Sequence, residues 1–175
     1  TLSFYIKSSV AQNFYGYFKD VDGSPDRAFP FETGSLTANT WKRVSVLIPG
    51  DSGLTFDNNS GRGFEIFWGA FVGTYYSSNS SSVGTWKNYT DNDRVPDSTT
   101  TWYTTNDATL EITGVQLELG TEATPFEHRT FADDYRDCLR YYYESREDGN
   151  NFDGNGPNSY ASVSYTHLRA HETVS

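Results

Sequence analysis

Leu2, Phe4 and Ile6 alternate with Ser3, Tyr5 and Lys7, a period of two that predicts a β-strand with one buried face. Asn13–Lys19 repeats the pattern, with Phe14, Gly16 and Phe18 on one side and Tyr15, Tyr17 and Lys19 on the other. A Gly- and Pro-punctuated turn over Asp20–Asp26 separates it from a third extended piece, Ala28–Thr33. Trp41–Ile48 is a further strand, with Val44, Val46 and Ile48 sharing a face. Pro49-Gly50 stops it, because proline removes a ladder donor and glycine permits the turn.

Gly63–Val72 is apolar on both faces, which predicts a central strand of a packed sheet. Residues 73–107 are rich in Ser, Thr, Asn and Asp, long for a loop in a compact domain, and are expected to hide short strands around Thr85–Tyr89 and Thr100–Thr104. The cleanest strand opens the stretch Leu110–Arg129 and is closed by Gly120. Its apolar parity slips by one between Ile112 and Val115, which would turn the later set outward unless one residue is absorbed. A β-bulge at Thr113-Gly114 is predicted, since glycine accepts the left-handed bulge conformation.

From Thr130 the period changes. Phe131, Tyr135, Cys138, Leu139 and Tyr142 form a helical stripe over an expected helix 130–147, with Thr130 as cap and Asp133 and Asp134 in the first turn. Residues 148–163 read as a linker and the start of a truncated second unit. The final residues, 164–175, SYTHLRAHETVS, resemble translated sequencing-adapter tails of metagenomic gene fragments and are set aside as non-native.

Composition sharpens this picture in three ways. Aromatic residues make up 17% of a chain that is only 35% hydrophobic, so rings supply much of the core and part of the surface. A net charge of −10 argues against nucleic acid and anionic membranes as partners. No apolar run approaches the roughly 20 residues of a membrane helix, so membrane insertion is not expected. The chain opens on Thr1 and contains no Met, which predicts a fragment of a longer protein. Cys138 is the single cysteine and excludes an internal disulfide.

Successive strands without βαβ alternation predict an all-β fold, an antiparallel sandwich or jelly roll over residues 1–129. Three segments carry a family resemblance: TLSFYIKSS at 1–9, TANTWKRVSVLIPGD at 37–51, and LEITGVQLELGTEATPFEHR with the CLRYYYE that follows. Together they resemble a module of bacteriophage tail-fibre and tail-associated structural proteins, whose domain is similar to a carbohydrate-binding-module jelly roll. The resemblance implies a non-enzymatic virion component, located on the tail and extracellular, that attaches to host-surface carbohydrate and forms a homo-oligomer, a trimer, in the full-length fibre. Two alternatives stand beside it: a carbohydrate-binding module of a secreted bacterial glycoside hydrolase, and a structural spacer without ligand.

The chemistry of individual residues points the same way. No sequence feature selects a pair of carboxylates for glycoside hydrolysis, Cys138 has no indicated base, and HLRAH lacks the Glu of H-E-x-x-H. Sugars present apolar C–H faces that stack on aromatic rings. Tyr5, Tyr15 and Tyr17 lie opposite the apolar set of their strands and would form a tyrosine platform if those strands are neighbours. Trp86, Trp102 and Tyr103, in polar loops, would rim it. The competing reading is that both sheet faces are covered, or that the rings make chain–chain contacts. Asp20, Asp22 and Asp26 offer hard oxygen ligands for a structural Ca²⁺, against the plainer reading of an Asx-rich turn. The resemblance would place a calcium-binding Asp on the last strand, where this chain has Thr113 and Gly114.

Overall fold

A computed structural model describes residues 1–59 and 61–139. The chain divides into two units, Thr1–Phe126 and Glu127–Ser175. The C-terminal part of the expected helix, the expected linker and truncated second unit over 148–163, and the tail at 164–175 lie outside the described residues.

The first unit is an antiparallel β-sandwich. One sheet has the order β4-β1-β7, from Lys42–Val46, Leu2–Ser8 and Leu110–Leu117. The other has the order β5-β2-β3-β6, from Phe64–Gly69, Tyr15–Asp20, Arg27–Glu32 and Lys87–Asn88. The expected all-β sandwich is therefore what the chain forms, with seven strands among the described residues against the eight of a full jelly roll. Alternation explains the core. Leu2, Phe4 and Ile6 from β1 meet Phe18, Phe29 and Phe31 from the opposite sheet, and all six are buried. Their rings pack edge-on or tilted, as between Phe4 and Phe31 at 6.2 Å and Phe18 and Phe31 at 5.5 Å.

Gly16 serves this packing directly. A Cβ there would overlap the Phe31 ring and the Phe67 carbonyl, so only glycine lets β2 pass between them.

The bulge is present where the parity slip demands it. β7 keeps one register from Leu110 to Thr113, then shifts by one before Gln116, and Gly114 has φ of +58°. Leu117 consequently pairs with the buried Leu2, on the same face as Ile112, which pairs with Ile6. Leu110 and Ile112 pack on the core, whereas Val115 and Leu117, past the bulge, stay about half exposed. Beyond β7 the chain folds back across the outer face of its sheet. Arg43 donates to the Thr124 carbonyl, Gln116 to the Thr124 hydroxyl at 3.1 Å, and Thr124 to Glu118 at 2.7 Å.

Two sequence expectations need correction. β5 is an edge strand of its sheet, not a central one. Its inner face packs Ile66 and Trp68 on the core, and its outer face carries Phe67 stacked on Tyr17, so both faces are apolar for separate reasons. Thr101–Thr104 forms a short helix, α1, not a strand. Threonine hydroxyls return to carbonyls one turn back, Thr104 to Thr100 at 3.0 Å and Thr105 to Thr101 at 2.7 Å. Gln12 accepts the Trp102 N–H at 2.8 Å and so caps the turn from a distant segment.

In the second unit, α2 spans Phe131–Leu139. Thr130 caps it as predicted, accepting the Asp133 N–H at 3.2 Å and donating to the Asp133 carboxylate at 2.7 Å. Phe131 and Tyr135 stack one turn apart, 5.8 Å between centroids. Cys138 is a free thiol.

Candidate functional site

The outer face of the four-stranded sheet carries the aromatic surface. Along β2 the outward positions are Tyr15, Tyr17 and Lys19; opposite them on β5 stand Gly69, Phe67 and Glu65. Tyr17 and Phe67 lie nearly parallel, 4.6 Å between centroids, and Tyr89 approaches Tyr17 at 6.2 Å. Tyr17 is thereby only 6% exposed, whereas Phe67 is 39% exposed.

The long Ser/Thr/Asn/Asp-rich segment covers part of this face through backbone hydrogen bonds. Gly84 donates to the Pro30 carbonyl at 2.8 Å, Tyr89 to Asp26 at 2.8 Å, Ser78 to Val95 at 3.0 Å and Arg94 to Tyr76 at 3.1 Å. Ser77 and Val95 form a parallel bridge, and Val95 is buried. What remains open is a cleft of about 360 Å³ lined by Tyr15, Tyr17, Phe67, Phe71, Tyr76 and Arg94 among others. Gly69 shapes its end: a Cβ there would sit 2.7 Å from Val72 Cγ2, so glycine lets the chain fold back over the sheet.

The polar groups of the cleft are arranged around Arg94. Its guanidinium lies over the Tyr76 ring at 4.3 Å and near the Tyr89 ring at 5.7 Å. Arg94 Nη2 donates to Asp91 at 2.8 Å, and the Tyr89 hydroxyl donates to the same oxygen at 2.9 Å. The Tyr89 hydroxyl, then Arg94, hold the Asp91 carboxyl below its ordinary range. Burial, reinforced by the bond to Asp91, pushes the Tyr89 phenol up. The Arg94 side chain is a quarter exposed, yet its Nε is shut off from solvent and meets no acceptor. Lys19 sits over the outer side of Tyr89 at 4.1 Å and pairs with Asp26 at 2.8 Å.

Only part of the expected tyrosine platform assembles. Tyr15 and Tyr17 line the cleft, but Tyr5 belongs to β1 in the other sheet, because β1 and β2 are not neighbours. Tyr5 instead flanks the bulge: a Cβ on Gly114 would lie 3.0 Å from the Tyr5 ring and 3.7 Å from Phe126. Trp86 packs on Phe29 at 5.3 Å and donates to the Pro49 carbonyl at 2.7 Å. Trp102 packs edge-on against Phe14 at 6.3 Å and donates to Thr109 at 3.1 Å. Both indoles are therefore core-anchored and do not rim the cleft. Tyr103 does extend it: 65% exposed, it stacks at 4.5 Å on Phe71, a cleft residue. Phe67 and Phe71 were visible in sequence only as the second apolar face of a strand. Tyr76 and Arg94 carry no local signal, since a long-range hydrogen bond, from the Arg94 N–H to the Tyr76 carbonyl, joins distant parts of the loop segment.

The three aspartates of the calcium reading are turned to other partners. Asp20 is fully buried and accepts the N–H groups of Asp22 at 2.9 Å, Gly23 at 3.2 Å and Thr55 at 3.0 Å. Asp22 accepts the Asp57 N–H at 3.2 Å, and Asp26 pairs with Lys19. Among the described residues no group of three or more His, Cys, Asp or Glu side chains is placed to share a metal ion. Nor is any helix among them long and apolar enough to cross a membrane. Compared with family models, curated proteins and solved structures, the chain matches none.

Proposed function

We propose that this chain is a non-enzymatic structural and adhesive module that binds carbohydrate in the cleft between Tyr15, Phe67 and Arg94. One observation carries the reading: an open cleft whose aromatic rings are held in place by packing, beside a polar cluster of arginine, aspartate and tyrosine. Stacking rings and a few fixed polar groups are what sugar recognition requires. Rings already ordered by their neighbours lose little conformational freedom on binding, which favours affinity.

The setting in a phage tail fibre or tail-associated protein comes from the sequence resemblance at 1–9, 37–51 and 110–129. In that setting the module is displayed on the virion tail, in a trimer, and contacts host-surface glycan. The Asp20 turn is part of the scaffold.

Two experiments test the reading. A glycan array probed with the full chain should return a defined set of ligands, and an empty array would remove the adhesive function and leave a spacer. Gene neighbourhood tests the setting: tail and baseplate genes are expected, whereas a hydrolase domain in the same reading frame would assign the module to a secreted enzyme.

A further inference from the structure

The carbohydrate reading leaves open what kind of sugar the cleft takes, and its charged groups bear on that choice. Arg94 is the charged side chain lining the cleft, and no carboxylate among the described residues lines it. Asp91, which pairs with Arg94, stands outside the lining, with its side chain 69% exposed. That pair engages Arg94 Nη2, and a quarter of the Arg94 side chain stays exposed. Stacking over Tyr76 holds the guanidinium plane in place, so the group is presented rather than free to swing into solvent.

We infer that the cleft takes an acidic sugar, a pyranose bearing a carboxylate, with its ring against the aromatic side of the cleft and its carboxylate on Arg94. The inference rests on the carbohydrate reading of the same cleft. A planar guanidinium matches a carboxylate better than it matches a single hydroxyl, and the resulting hydrogen bonds are charge-assisted. Tyr15 and Tyr76 add phenol groups to the same lining. The net charge of −10 does not oppose this at contact, because physiological salt screens exposed charges beyond about 8 Å. Uronic acids and nonulosonic acids share this chemistry. Asp91 competes with such a ligand for Arg94, so it tunes affinity from outside the cleft.

The test titrates the full chain with sialyllactose and an oligogalacturonate, and with lactose and maltohexaose as neutral counterparts. Acidic probes are expected to bind about tenfold or more tightly than neutral ones. Response to one acidic probe alone identifies the source of the carboxylate and supports the inference equally. Arg94→Gln should abolish the preference, and Asp91→Asn should strengthen acidic binding. Should Arg94→Gln fail to fold, Asp91→Asn decides by itself, and unchanged or weakened acidic binding overturns the inference. Equal affinity for acidic and neutral probes, or a preference that survives Arg94→Gln, overturns it while the carbohydrate reading stands. If none of the four probes binds and the glycan array is also empty, both fall together.

Discussion

Tyr17 and Phe67 lie face to face on the outer side of the four-stranded sheet, 4.6 Å between centroids and 11° from parallel. The pair comes from a single register match, since Tyr17 of β2 stands directly opposite Phe67 of β5. Such a pair adds about 0.5–1.5 kcal/mol beyond the area it buries. Phe67→Ala should therefore lower stability by about 1–3 kcal/mol and remove the exposed ring of the cleft. Tyr17→Phe should preserve both stability and binding, because the stack persists. Urea unfolding of the two variants checks this, and a loss in Tyr17→Phe equal to that in Phe67→Ala would show that the Tyr17 hydroxyl contributes as much as the stack.

Gly114 tests the bulge. With φ of +58° and a Cβ position 3.0 Å from the Tyr5 ring, alanine there meets both backbone strain and a crowded neighbour. Gly114→Ala should cost about 1–2 kcal/mol for the left-handed backbone alone. A melting temperature unchanged from the parent would contradict the bulge assignment.

Asp20 is the keystone of its turn. Asp20→Ala strands three backbone N–H groups, those of Asp22, Gly23 and Thr55, and should destabilise the sandwich by about 3 kcal/mol or more. EDTA should leave the melting temperature of the parent unchanged, because those oxygens already have N–H partners. A drop in melting temperature on chelation would support the calcium reading instead.

Acid should destabilise the fold in a defined window. The Gly53 N–H, then Arg27, lower the Asp51 carboxyl from its ordinary 3.8, and Thr124 lowers Glu118 from 4.5. Asp91 is lowered from 3.8 by Tyr89 and Arg94. In each case the unfolded chain binds protons more readily than the folded one, so stability rises with pH across the window. The contribution is complete above the ordinary values and lost as pH falls through the lowered folded ones. Melting temperature should hold steady from pH 7 to about 5 and fall below about pH 4.5. Glu118→Gln and Asp51→Asn should each flatten that fall, and a slope identical to the parent would contradict the assignment.

Local pattern revealed local structure and little else. Alternation in Leu2–Ser8 gave the buried face of β1, the slip between Ile112 and Val115 located the bulge, and Thr130 announced the cap of α2. Each of these is decided by neighbours in sequence. Alternation also identifies Tyr5, Tyr15 and Tyr17 as outward-facing, but it does not say which strands share a sheet, and Tyr5 lies on the other sheet from Tyr15 and Tyr17. The tryptophans misled for a related reason: polar flanks at Trp86 and Trp102 hide that each indole meets a core phenylalanine and a distant carbonyl. Tyr76 and Arg94 meet each other across the loop segment, and no short-range pattern encodes that.

The account stands or falls on which face of the sandwich holds the sugar. Titration of the full chain with a glycan selected on the array, read for the parent, Tyr15→Ala and Tyr5→Ala, measures this directly. Tyr15→Ala should weaken binding by about tenfold or more, and Tyr5→Ala, on the opposite sheet, should leave it unchanged. Parental affinity in Tyr15→Ala, or a loss confined to Tyr5→Ala, would contradict the cleft as the binding site.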